Sequence, residues 1–255
     1  MVAGVGMHAS RVLASTVACC VAALALHWLV ERRRLRRFVR ALDLPARPVQ
    51  RVLWLAAYLS NRPHVPDDPA YLSRVFRPLG ATPGSLIRDG GCCSGTSRLF
   101  ILCLAELGIR AHQITLYHRG GRAQHCLVEA YPGDVPLIAD PVYGVYFTDT
   151  NGRLLSLEDL QAGASVACLP LANSTARGYP AHNYYDFDYA LTQTANWTKS
   201  WPRRRAYTML RALSGRRIDR LRLPDLLEWP QVLLASLIVL FAVVLEIAGF
   251  VIAAG

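Results

Sequence analysis

Cys92 and Cys93 follow a glycine pair, Gly90-Gly91, and open a run of side chains that is almost wholly apolar. A thiol attacks a carbonyl only as its thiolate. The positive end of a helix dipole lowers a thiol pKa without a charged partner. The residues downstream decide whether such a thiol has help. Alternation along His125-Cys126-Leu127-Val128-Glu129 puts His125, Leu127 and Glu129 on one face of a strand. A following turn and strand bring Asp140 level with His125. A histidine beside a carboxylate, facing a helix-start thiol, is the arrangement covalent acyl chemistry needs. The imidazole takes the thiol proton and later protonates the leaving group. The carboxylate fixes the tautomer and supports the imidazolium, and backbone N–H groups at the helix start can hold an oxyanion.

The elements that must position these groups are legible from punctuation. Leu99, Phe100, Ile101, Leu102, Cys103, Leu104 and Leu107 leave the helix that starts at Cys93 almost no polar face, so it is predicted to be buried. Gly108 is a natural C′ residue for it. Strands are predicted over 110–117, 125–131 and 137–143, with turns at 118–124 and 131–136; Pro141 stops the third strand. The fold class is therefore α+β, a central buried helix on an antiparallel meander. Residues 144–163 read as a strand, an Asn151-Gly152 turn, a short strand and a helix capped by Ser156, with Glu158 and Asp159 in its first turn. The aromatic stretch 182–197 could line a substrate groove or pack over the sheet, and packing is the preferred reading.

Three blocks together resemble the transglutaminase-like superfamily, a papain-like cysteine fold. They are Gly91-x-Cys93-x-Gly95-x-Ser97-Arg98-Leu99-Phe100, ending in Leu107-Gly108-Ile109-x-Ala111; His125-x-x-Val128-Glu129-Ala130; and Ala139-Asp140-Pro141-x-Tyr143-Gly144. The resemblance runs over about residues 80–163 and is closest to compact, membrane-anchored bacterial-type members. It implies a catalytic triad of Cys93, His125 and Asp140, with no cofactor and no metal. The residue four places after the family's cysteine is small; Ser97 meets that from Cys93, whereas counting from Cys92 gives Thr96 and breaks the glycine register. A metal site made of Cys92, Cys93, His125 and Cys126 is a poor alternative, because adjacent ligands close a tetrahedral shell badly. The implied activity is that of a cysteine peptidase or amidase, acting on peptide or glutamine-type amide bonds of a peptide or protein substrate through a thioester. Hydrolysis is preferred over amine transfer. The alternative from the same resemblance is a catalytically silent binding or assembly module.

The chain has 255 residues, 53% of them hydrophobic, enough for one domain and membrane segments. Its seven cysteines show no CxxC spacing and read as free thiols in a reducing compartment. Residues 12–30 form an uncharged run of 19, about 28 Å as a helix. Six arginines in 31–40 follow the run rather than precede it, opposite to a cleaved signal. Residues 231–253 form a second apolar run, entered at Trp229, and eight arginines between 203 and 222 lie before it. Arginines beside both spans mark their cytoplasmic ends, a reading preferred over nucleic-acid binding. The expected organisation is an N-terminal anchor with basic flank (1–40), a domain (41–200) and a basic linker with a C-terminal span (201–255). The expected partners are the lipid bilayer of the inner or plasma membrane and a membrane-protein partner; Glu246 in the second span reads either as a functional or helix-pairing acid or as a residue near the outer headgroups. A helix is expected over 49–60 and a short one around Tyr71, Leu72, Val75 and Phe76, with His64 as a surface histidine in the loop between them. Asn196-Trp197-Thr198 matches a glycosylation acceptor, of consequence only in a secretory compartment.

Overall fold

The computed structural model describes residues 2–65, 81–172, 181–197, 201–221 and 228–254. The helix expected around Tyr71 to Phe76 and Thr198 of the acceptor triplet lie outside the described residues.

The chain is α+β. Helix α1 (Val2–Arg40) runs without a break through the first apolar run and its basic flank. Proline 48 starts α2 (Pro48–Ser60), where its fixed φ suits a first helical turn. Two more helices, α3 (Pro83–Asp89) and α4 (Cys93–Glu106), meet at the glycine pair. The five strands β1 (Arg110–Tyr117), β2 (Ala123–Tyr131), β3 (Leu137–Asp140), β4 (Val145–Thr148) and β5 (Ala167–Pro170) form one antiparallel sheet in sequence order. Helix α5 (Leu157–Gln161) interrupts the meander, held by a capping box between Ser156 and Asp159. Helices α6 (Trp201–Ser214) and α7 (Pro230–Ala254) end the chain.

The sheet divides two cores according to strand alternation. Val128, Ala130 and Ala139 face α2 and α4, packing with Val52, Leu55, Leu99 and Phe100. Leu127, Ile114 and Ile138 face the opposite way and are covered by Leu157, Leu160, Tyr184 and Phe187. The side chains of both cores are shielded from water, which supplies the main stabilising contribution of the domain.

The lower half of α1 belongs to that first core. Leu35 and Val39, spaced four apart on one helix face, are buried at 0% and 5% exposure. Arg32 and Arg36 both reach Glu106 at the end of α4, at 3.1 and 2.8 Å. Glu31 is buried; it accepts from Gly84 N at 2.7 Å and pairs with Arg34 at 2.6 Å. The basic flank is thus tied to the domain as well as following an apolar run.

Among the described residues, two helices are long and apolar enough to cross a membrane, Val12–Arg40 with 29 residues and Pro230–Gly249 with 20. They pack against one another. The Trp28 ring meets Trp229 edge-on at 6.0 Å, and Gln231 Nε2 lies 3.0 Å from His27 Nδ1.

Candidate active site

The glycine pair is required by close packing. Gly90 has φ +81°, and a Cβ there would overlap the Pro63 carbonyl oxygen. Gly91 is bridged to His64, and its carbonyl accepts from Val65 N at 3.2 Å. The chain therefore enters α4 held firmly by residues 63–65. Cys92 is the N-cap, with extended backbone and its Sγ 3.3 Å from Ser94 Oγ. Cys93 is the first helical residue. The backbone N–H groups of the first turn have no carbonyl of their own helix to bond and present a positive end beside the Cys93 thiol. At the far end α4 closes in a Schellman motif: Ile109 N bonds Leu104 O at 2.9 Å and Gly108 N bonds Ala105 O at 3.0 Å.

Ser97 shows why this helix needs a small residue one turn after Cys93. It is fully buried and its Oγ donates to the Cys126 carbonyl at 3.4 Å, so the first turn of α4 lies directly on β2. Alternation turns Cys126 toward α4 and His125 toward the opposite face. The β2–β3 ladder covers Val128 to Ala130 only, so His125 is flanked by β1, at Leu116, and lies beyond the paired residues on its β3 side.

His125, Asp140 and Cys93 are brought together. His125 Nε2 lies 2.6 Å from Asp140 Oδ2, with the two residues 5% and 0% exposed. The Cys93 side chain is hydrogen-bonded to His125, which leaves the ring's Nδ1 as the nitrogen that serves it. Asp140 is not level with His125. The ladder pairs Glu129 with Ile138 and Val128 with Ala139, which puts Asp140 next in line opposite Leu127, diagonal to His125 on the same face. Its carboxylate is fixed from three further sides. Val142 N and Tyr143 N donate to Oδ1 at 2.8 and 3.2 Å, and Tyr184 OH donates to Oδ2 at 2.6 Å. The Tyr143 ring lies against His125, centroids 5.3 Å apart.

Electrostatics follow from this shell. Burial opposes the charged form of His125, but the Asp140 charge, the Asp140 hydrogen bond and the Cys93 contact outweigh it. The imidazolium is raised from 6.5 to about 10. Burial also opposes ionisation of Asp140, and there the His125 charge, with the bonds from His125, Tyr184 and Val142 N, wins and lowers it. The pair is an imidazolium and a carboxylate at neutral pH. Cys126 hydrogen-bonds to Cys93; that bond, burial and the surrounding sulfurs push its thiol well above the usual range. Burial pushes Cys168 up to about 12 and Cys103 higher still. These thiols stay protonated and unreactive.

A second buried pair, His112 with Glu129 at 2.8 Å, lies further along the same face. Glu129 is buried. Burial opposes its charge, but the bonds from His112, Tyr131 and Leu157 N lower its pKa overall. Leu157 N donates to it at 2.7 Å, so Glu129 anchors the start of α5 and serves architecture.

Tyr184 was not singled out by sequence reasoning. The aromatic stretch around it was expected to pack, and it does: Tyr184 meets Phe147 edge-on at 5.2 Å. Its hydroxyl belongs to the site as well. The only signal in the sequence is the aromatic cluster itself, which does not say which ring reaches a carboxylate. His64, expected at the surface, is half-buried beside the glycine pair.

Compared with known proteins, the chain matches no family model, no curated protein and no solved structure.

Proposed function

We propose that the chain is a membrane-anchored, transglutaminase-like cysteine hydrolase acting on peptide or glutamine-type amide bonds of a peptide or protein substrate. The observation that carries the reading is the buried relay from the Cys93 thiol through His125 to Asp140, 2.6 Å from the ring. The Cys93 sulfur attacks the amide carbonyl carbon, and the carbonyl oxygen takes the negative charge facing the N–H groups of the first turn of α4. The C–N bond breaks as His125 gives its proton to the departing amine, leaving a Cys93 thioester and a neutral imidazole. Water then attacks the thioester carbonyl. His125 takes a proton from that water, the C–S bond breaks, and the carboxylic acid leaves with the thiolate–imidazolium pair restored. Asp140 stays ionised throughout and keeps the ring oriented. Hydrolysis is favoured over amine transfer because water reaches a cytoplasmic site first and no feature marks an amine site.

Membrane anchoring draws support from the two apolar helices and their mutual packing at Trp28 and Trp229. Arginines follow the first span and precede the second, so the domain faces the cytoplasm and both chain ends lie outside. A C-terminal reporter that proved cytoplasmic would remove this topology.

The activity is tested with an activated acyl probe, such as an N-acyl carbamate, followed by mass spectrometry of the full chain in detergent. The expected result is one acyl group on Cys93, absent in Cys93→Ala and in His125→Ala. Acylation that is indifferent to His125 would leave Cys93 an ordinary exposed thiol and favour the silent binding module.

A further inference from the structure

Among the described residues, helix α6 is held to the domain along the edge that carries Tyr207. Tyr207 OH donates to Asp219 Oδ1 at 2.7 Å, accepts from Gln193 Nε2 at 2.9 Å and from Arg211 Nη1 at 2.8 Å, and its ring stacks on Trp197. At about 100° per residue, Trp201, Met209 and Leu213 fall on the side of the helix opposite Tyr207. That side is bare. Trp201 is 64% exposed, Met209 68% and Leu213 85%. An isolated exposed apolar residue needs no explanation, but these three on one helical side form a surface that water does not favour.

The charge around this face identifies its occupant. Arg204, Arg205, Arg211, Arg216 and Arg217 are all exposed on α6 and the turn that follows it, with Asp219 the one acid of residues 201–221 and already bonded to Tyr207 and Gln193. Arg205 lies over the Trp201 ring at 5.3 Å; by the same count it stands between Trp201 and Met209, and its long apolar stem lets the guanidinium rise out of that side toward phosphate. An apolar stripe carrying tryptophan, with arginines flanking it, is the chemistry of a helix lying in the plane of an anionic lipid surface. The chain passes from this helix into α7, the second apolar span, within residues 215–229.

We propose that α6 is an interfacial helix whose Trp201–Met209–Leu213 face enters the headgroup layer of an anionic bilayer and holds the domain down on that surface. This rests on the membrane reading given above. The docking edge at Tyr207 makes the orientation rigid: the helix cannot turn its apolar side inward without breaking the Tyr207–Asp219–Gln193 bonds.

The test uses the full chain reconstituted into vesicles of phosphatidylcholine with phosphatidylglycerol, carrying bromine at shallow or deep acyl positions. The emission of Trp201 is taken as the difference between native protein and Trp201→Phe. The expected result is quenching of Trp201 by shallow bromines more than by deep ones. Met209→Asp with Leu213→Asp should reduce that quenching about twofold or more, as should vesicles of phosphatidylcholine alone. Quenching of Trp201 by aqueous acrylamide but not by bromolipid would overturn the proposal. So would shielding from both quenchers, which would mean that a second copy or a soluble partner covers the face. Trp28 and Trp229, each read as the further difference made by Trp28→Phe or Trp229→Phe in the Trp201→Phe protein, report the spans independently. If bromolipid quenches them and not Trp201, the interfacial helix fails while the anchored reading stands. If none is quenched, the membrane reading itself fails.

Discussion

Replacing Asp140 by Asn changes one atom in a fully buried shell. The remaining amide oxygen can still accept from Val142 N and Tyr143 N, bonds now at 2.8 and 3.2 Å. The amide NH2 then faces the His125 Nε2–H and the Tyr184 hydroxyl, both of which now donate to Oδ2 at 2.6 Å. Two charge-assisted bonds are lost and donor meets donor. Breaking a buried ion pair from one side costs about 3–5 kcal/mol. The His125 imidazolium, raised to about 10 chiefly by Asp140 against the opposing effect of burial, should fall well below that value once the carboxylate is gone. The sign of the stability effect follows. A raised histidine stabilises the fold fully below its unfolded pKa of 6.5, and this is lost as pH rises through about 10. The lowered Asp140 contributes above 3.8 and its share is lost as pH falls through its folded value. The gap in thermal stability between native protein and variant should therefore be widest between about pH 4 and 6.5 and close on both sides. Acylation of Cys93 near neutral pH should fall by about three to four orders of magnitude. The assays are thermal unfolding from about pH 2 to 11 and an NMR titration of the His125 ring. A stability gap independent of pH, or a His125 midpoint near 10 retained in the variant, would refute the reasoning.

Three other outcomes are expected. Tyr184→Phe keeps the packing on Phe147 and removes one charge-assisted bond to Asp140, so Cys93 acylation should drop about tenfold to a hundredfold and unfolding should report a loss of about 1–3 kcal/mol. Gly90→Ala places a methyl in the Pro63 carbonyl at positive φ; thermal unfolding should report a loss of about 3 kcal/mol or more. Glu106→Gln releases Arg32 and Arg36, which are 38% and 45% exposed, so chemical denaturation should show a cost of only about 1 kcal/mol that shrinks as salt is added.

Much of the domain was legible because its elements are short and sharply punctuated. Strand β1 has the bounds that its residues predict and α4 starts at Cys93, while β3 ends at Asp140, three residues short of the expected 143, because Pro141 removes a ladder donor. The Ser156 cap and the Asn151-Gly152 turn were equally local, since each rests on one side chain or one φ value. What depended on distant packing was harder to read. Leu35 and Val39 show helical spacing, but the six surrounding arginines point to the cytoplasmic end of a span and say nothing of packing, whereas the helix buries one stripe against the domain. Strand β5 carries Ala-Cys-Leu-Pro, four residues with no alternation, and exists because β4 offers an open edge. In the candidate site, Cys93, His125 and Asp140 were found by spacing, but not the diagonal placement of Asp140, which follows from the register of the β2–β3 ladder. Tyr184 lies 44 residues from Asp140, and no local pattern selects it from the neighbouring tyrosines.

The central claim is that Cys93 is the nucleophile and His125 its base. The most direct measurement is the rate of iodoacetamide labelling of each cysteine at neutral pH, resolved by peptide fragmentation so that Cys92 and Cys93 are read separately. The account predicts that Cys93 labels at least tenfold faster than Cys92, Cys103, Cys126 or Cys168, and that His125→Ala removes the difference. Labelling of Cys93 at the rate of Cys92, or a preference that survives His125→Ala, would contradict it.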